Sequence, residues 1–264
     1  MLDFMMVATR STKTGVELIP KFKINDLSKD LMIRGGDFYA IWDEGKKMWS
    51  TKEADVVRLV DNELRAYVEE HTEQLGENFY IKYMWDSDSG SIDKWHKYCQ
   101  KQMRDNYQTL DEELIFSNTE LTRDKFASKK LNYPLEAGSI EAYDKLISTL
   151  YSPEERHKIE WAIGSIVTGD SKTIQKFMVL YGAAGTGKST VLNIIQQLFE
   201  GYYCVFNAKS LGSGNSSFAL EQFRSNPLVA IQHDGDLSKI EDNTKLNSLV
   251  SHEEMEVNEK FKAS

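Results

Sequence analysis

One stretch in the second half of the chain limits its fold more than any other. It reads Gly182-Ala183-Ala184-Gly185-Thr186-Gly187-Lys188-Ser189 and fills every defined position of the pattern GxxxxGK[ST]. The apolar run Phe177-Met178-Val179-Leu180-Tyr181 stands directly before it, of the kind that forms a buried parallel strand. Thr190-Val191-Leu192-Asn193-Ile194-Ile195-Gln196-Gln197-Leu198-Phe199 follows and reads as a helix. A strand, a glycine-rich turn and a helix in this order predict an α/β fold with a phosphate-binding loop at its centre.

The residue types suit that chemistry. Glycines and small side chains let backbone N–H groups turn inward around phosphates, and the helix N-terminus adds partial positive charge. Lys188 has the reach for the β- and γ-phosphates of ATP, and the Ser189 hydroxyl is a ligand type for Mg²⁺. The candidate nucleotide-binding residues are therefore Gly182, Ala183, Ala184, Gly185, Thr186, Gly187, Lys188, Ser189 and Thr190. The competing explanation is a glycine-rich turn between a strand and a helix with no ligand.

Hydrolysis of a bound nucleotide also calls for a carboxylate at the end of a second buried strand. Leu228-Val229-Ala230-Ile231-Gln232 predicts that strand, and it runs into His233-Asp234-Gly235-Asp236. Asp234 is the expected Mg²⁺-side carboxylate, and Asp236 its partner or alternative. An Asp-Gly-Asp turn that merely ends a strand is the competing reading. Gln232 and His233 receive no role.

Upstream, Phe38-Tyr39-Ala40-Ile41-Trp42 predicts a strand, Asp43-Glu44-Gly45-Lys46 a turn, and Met48-Trp49 the antiparallel return. These aromatics form either a binding surface or the core of a hairpin. Ser50, three residues before Glu53, predicts a capping box. Val56, Val57, Leu59, Val60, Leu64 and Val68 mark one buried face of the helix that follows. A short strand is expected over residues 79–84 and a second helix over residues 92–103. Ile140, Tyr143, Leu146 and Ile147 share a helical face. Ser152-Pro153-Glu154-Glu155 then supplies a capping serine, a proline at the first helical position and a glutamate at the third. Ile159, Ala162, Ile163 and Ile166 continue that helix, and Thr168-Gly169-Asp170-Ser171 ends it. The expected organisation is an N-terminal α+β domain at 1–134, a helical collar at 135–172 and an ATPase core at 173–264.

Of the 264 residues, 41% are hydrophobic and 28% charged, enough apolar material for a real core. A net charge of −9 argues against a chain whose whole surface binds nucleic acid, while leaving room for a local basic loop. The two cysteines, Cys99 and Cys204, provide neither a disulfide framework nor a four-cysteine zinc site, a pattern suited to a reducing cytoplasm. No stretch approaches the roughly 18–20 apolar residues that cross a bilayer. The apolar start, Met1 to Val7, carries Asp3 and makes a poor signal peptide. A soluble, cytoplasmic protein with no membrane partner is expected.

The runs KFMVLYGAAGTGKST (residues 176–190), FALEQF (218–223) and PLVAIQHDGDL (227–237) resemble the superfamily 3 helicases of phages, plasmids and large DNA viruses. More narrowly, they resemble the phage and poxvirus-type primase-helicases. SPEERHKIEWAIGSIVTGDSKTIQKF (152–177) is similar to the helical segment before their motor. The resemblance covers residues 135–264. It implies a P-loop NTPase core of the AAA+-like kind, hydrolysing ATP with Mg²⁺ in a hexameric ring that translocates on single-stranded DNA during DNA replication. Lys188, Ser189, Asp234 and Asp236 then take the nucleotide and metal roles. A hairpin after the acid presents basic residues to DNA in that family, which makes Lys260 and Lys262 the DNA-binding candidates, with Phe261 for packing or stacking. A solvated chain end explains the same residues.

The family continues with a strand bearing a polar sensor residue and then an arginine finger, and this chain stops at Ser264 before both. The sensor strand would lie between the loop strand and the acidic strand, so the core is expected to be incomplete and part of a longer protein. Such a piece is expected to bind nucleotide weakly and turn over little. No carboxylate cluster with metal-binding spacing marks a primase site near the N-terminus. Primase or other replication proteins are the expected partners. Two other classes fit the sequence. A non-catalytic interaction module of the replication machinery keeps the loop without turnover. A P-loop small-molecule kinase would need an arginine-rich lid, and the region after Asp236 offers only lysines.

Overall fold

The computed structural model describes residues 2–23, 28–33, 39–84, 108–212, 220–233, 235 and 243–253, with Trp95, Lys97, Cys99 and Lys101. The chain is mixed α/β with small sheets and divides into two compact units. One takes Met1–Asp111 and Glu120–Lys129, the other Glu112–Thr119 and Lys130–Ser264.

The first unit opens with an antiparallel pair, β1 (Met5–Thr12) and β2 (Gly15–Phe22), closed by Lys13 and Thr14. This pair was not anticipated from the sequence. Gly15 has φ +148°, and a Cβ there would lie 2.3 Å from the Asn78 carbonyl oxygen, so the turn needs glycine. A second sheet joins β3 (Leu31–Ile33), β4 (Tyr39–Asp43) and β5 (Met48–Ser50), with Trp42 opposite Trp49 as the aromatic hairpin predicts. Both tryptophans are buried, their rings meeting edge-on at 5.6 Å. That places them in the hairpin core rather than on a binding surface. Trp42 Nε1 donates to Glu44 and Trp49 Nε1 to the Arg123 carbonyl, so neither polar edge is stranded.

Helix α1 (Glu53–Glu70) buries Val56, Val57, Val60 and Leu64, four of the residues its periodicity singled out. They meet Phe4, Met5, Leu31, Ile41, Trp95 and Cys99 in one core. The predicted Ser50 cap is not made. Ladder pairing of Ser50 with Ile41 keeps it extended, and Lys52 takes the N-cap position without a side-chain bond. Ser50 Oγ donates instead to Asp55 Oδ2 at 2.6 Å. Asp43 is buried beneath the ion pairs from Arg58 and Lys46; burial pushes its pKa up, and the hydrogen bonds and charge of these cations more than reverse that, leaving it lowered. A short α2 (Thr72–Leu75) leads to β6 (Phe79–Ile81), which adds to β2 in parallel. In the helix expected over 92–103, Trp95, Lys97, Cys99 and Lys101 are helical, with the first and third buried and the lysines exposed.

In the second unit, α3 (Glu141–Leu150) and α4 (Pro153–Thr168) are joined by Tyr151 and Ser152. The capping box forms as read: Ser152 Oγ accepts from Glu155 N, and the Glu155 carboxylate accepts from Ser152 N at 2.9 Å. Gly169, at φ +73°, ends α4. Arg156 ties the two helices together through Asp144 at 2.6 Å, and pairs within α4 with Glu160 at 2.7 Å. After a short α5 (Ser171–Ile174) comes α6 (Lys188–Leu198), then β7 (Tyr203–Val205), α7 (Ala208–Gly212), β8 (Val229–Ile231) and α8 (Thr244–Val250). Strands β7 and β8 pair in parallel, Tyr203 opposite Val229. The core gathers Ile147 of α3, Ile159 of α4, Val191 and Ile195 of α6, and Phe116, Leu131, Phe199, Tyr202 and Ile231. Among the described residues, no helix is long and apolar enough to cross a membrane.

Leu64 is fully buried, so Leu64→Ala should cost the first unit about 2–5 kcal/mol through lost contacts and the cavity left behind. The expected result is a lower urea midpoint for the loss of β1–β2 amide protection. An unchanged midpoint would show that this face of α1 carries no such packing.

Candidate functional site

The expected strand over residues 177–181 is absent. The segment is irregular, and Phe177, Met178, Val179 and Tyr181 are exposed, Tyr181 by 98%. Only Leu180 leans on the core. The physical reason lies in pairing: β8 takes β7 as its neighbour, and among the described residues no backbone hydrogen bond joins 177–181 to another segment. An extended run without a ladder partner is not a strand.

The loop that follows keeps a defined shape all the same. Gly185 and Gly187 sit at φ +78° and +84°, in the left-handed region that side-chain-bearing residues avoid. Gly187 is the N-cap of α6 and has no side chain to offer, which leaves the first N–H groups of the helix open to an outside acceptor. The carbonyl of Gly187 accepts the first helical bond, from Val191 N at 3.1 Å. Helix α6 is held by its apolar side, Val191 and Ile195, and at its far end by the Tyr133 hydroxyl, which donates to the Leu198 carbonyl.

Lys188 folds back across the loop. Its Nζ donates to the Gly182 carbonyl at 2.9 Å, to the Ala183 carbonyl at 2.6 Å and to Thr186 Oγ1 at 3.4 Å. Thr186 Oγ1 in turn donates to the Ala183 carbonyl at 3.0 Å. All three ammonium protons thus have partners on the loop itself, and the charge stands at its mouth. Gly182, Ala183, Ala184, Gly185, Thr186, Ser189 and Thr190 are exposed, with Gly187 and Lys188 partly so. The arrangement combines one fixed cation, free helix N–H groups and small side chains, the donor set that suits a phosphate chain. The Ser189 hydroxyl lies beside it, exposed, as a hard oxygen ligand for Mg²⁺ requires.

Asp234, Asp236, Lys260, Phe261 and Lys262 lie outside the described residues. The strand that leads to Asp234 is present as β8, with Ile231 buried. Its end is tied down by the two residues that the sequence left without a role. Gln232 Oε1 accepts from Ala208 N, the start of α7, at 3.1 Å. His233 Nε2 lies 3.2 Å from Gln196 Nε2 on α6, the amide donating when that ring nitrogen is unprotonated. So the chain just after β8 is fastened to the same helix that carries Lys188. Local pattern gives no hint of this tie, because its members stand far apart in the sequence.

Both cysteines are free and buried. Burial pushes the Cys99 thiol up to about 12 and the Cys204 thiol up to about 11. Among the described residues no group of three or more His, Cys, Asp or Glu is placed to hold a metal ion. Residues 180–264, which include the loop, match a family described as a family of unknown function (DUF5906). No curated protein and no solved structure matches the chain.

Gly187→Ala forces a side chain into the left-handed region and should destabilise the second unit by about 1–3 kcal/mol, read as a lower thermal midpoint. An unchanged midpoint would mean that the turn relaxes without strain. Both thiols should resist iodoacetamide at pH 8 in the native protein and react once denaturant is added; rapid native labelling at either would refute its burial.

Proposed function

We propose that the loop at residues 182–189 binds the phosphates of ATP together with Mg²⁺. We further propose that the chain is the ATP-binding and hydrolysing motor region of a DNA replication helicase or primase-helicase, built on a P-loop NTPase core of the AAA+-like kind. The observation that carries the first part is the Lys188 ammonium, held at the loop mouth beside the open N-terminus of α6. Phosphate oxygens are stronger acceptors than the loop carbonyls, so Lys188 turns from Gly182 and Ala183 toward the β- and γ-phosphates. The α6 N–H groups and its dipole hold the same charge from the other side. Ser189 and Asp234 would hold Mg²⁺, with Asp236 as partner or alternative, and the ion would supply charge neutralisation at the phosphates.

The motor reading draws on the resemblance of residues 135–264 to superfamily 3 helicases. In that reading the working assembly is a hexameric ring, Lys260 and Lys262 meet single-stranded DNA, and primase or other replication proteins are partners. A second reading, a non-catalytic interaction module, draws on the exposed apolar residues Phe177, Met178, Val179 and Tyr181 beside the loop.

Calorimetric titration with Mg²⁺-ATP, and hydrolysis with and without single-stranded DNA, separate these readings. Lys188→Ala should weaken ATP binding roughly 10- to 100-fold, the loss of about 1.5–3 kcal/mol expected for a charged hydrogen bond. Hydrolysis by this chain should be slow, and single-stranded DNA should raise it in the wild type and not in Lys188→Ala. Binding that Lys188→Ala leaves intact would remove the phosphate role of the loop. Binding without any DNA-stimulated turnover would favour the interaction module.

A further inference from the structure

Leu150 is the last residue of α3 and lies against the loop. A Cβ placed on Gly187 would fall 2.8 Å from Leu150 Cδ1, 3.0 Å from Cδ2 and 3.2 Å from Cγ. The isobutyl group therefore fills the space that a side chain at position 187 would take. Gly187 is the residue whose left-handed turn starts α6 and whose carbonyl accepts from Val191 N. One turn earlier on α3, Ile147 is buried in the same core as Val191 and Ile195. Helix α3 thus holds α6 at two points: Ile147 supports its flank, and Leu150 covers its first turn.

We propose that Leu150 is a positioning residue for the phosphate loop. Its methyl groups keep the Gly187 peptide in the left-handed turn, and that turn aims the first N–H groups of α6 at the phosphates. The role rests on the phosphate-binding reading and deepens it, because it makes the α3–α4 pair part of the nucleotide site. Leu150 touches no phosphate in this scheme and acts only through Gly187. Removing the isobutyl group lets the Gly187 peptide rotate, which breaks the Val191 bond and spreads the donors. A methionine refills the same space with a flexible apolar chain.

The test compares the full chain as wild type, Leu150→Ala and Leu150→Met. Amide hydrogen exchange by NMR is read without nucleotide, and ATP affinity by calorimetry. Leu150→Ala should speed exchange of the Val191 amide about tenfold and raise the ATP Kd about tenfold. The Phe199 amide, bonded to the Ile195 carbonyl at 3.0 Å at the other end of α6, should keep its rate. Leu150→Met should restore both quantities. Equal Val191 exchange in wild type and Leu150→Ala overturns the role, as does acceleration at Val191 and Phe199 alike, which would signal a general loss of packing. ATP binding that Leu150→Ala leaves unchanged overturns this role alone. A folded wild type that binds no ATP overturns the phosphate-binding reading, and this role with it.

Discussion

Everything described for the loop depends on how α6 buries its apolar side. Val191 and Ile195 enter a core with Ile147, Ile159 and Ile231, and the chain just after the helix adds Phe199 and Tyr202, both essentially without solvent contact. Each such side chain contributes about 1.5–3 kcal/mol on burial. Turning the helix by one residue rotates its faces by about 100° and would expose this set. The packing therefore sets the direction of the helix axis and the azimuth of its first turn. Gly187, Lys188 and Ser189 inherit their placement from hydrophobic contacts several residues away. The loop's own hydrogen bonds close the ring, but they do not decide where it points.

The same helix organises the polar side of the site. The contact between Gln196 and His233 brings the end of β8 to α6, while Gln232 secures the start of α7. Tyr202 fixes the other side of this layer: its carbonyl accepts from Leu228 and Val229, and its hydroxyl accepts from Ile115 N at 3.3 Å. A buried tyrosine with both ends bonded makes a rigid junction between strand and core.

What could be read from the sequence was what lies within a few consecutive residues. The Ser152 capping box, the Gly169 stop, the apolar stripe of α1, the aromatic hairpin and the glycine loop are all local patterns, and the structure shows each of them. What failed depended on partners far away. Residues 177–181 have strand composition but no neighbour in the ladder, and Ser50 has cap chemistry but is held in β5 by Ile41. Strands β1 and β2 mix apolar and polar residues without clean alternation and β7 is only three residues long, so each depends on its pairing rather than on a local pattern. Leu150 is an ordinary helix-end leucine until the fold brings Gly187 beneath it.

The exposed run before the loop has a colloidal consequence. Five uncharged residues of high strand propensity, Phe177-Met178-Val179-Leu180-Tyr181, offer unpaired backbone to any second molecule. Growth of an intermolecular ladder along this run is limited at both ends. Lys176 places like charges next to one another when chains align, and Gly182 resists continuation of a strand. The glycine that opens the loop and the lysine that precedes the run thus act as local guards of solubility, and a charge-neutral replacement of Lys176 would weaken that protection.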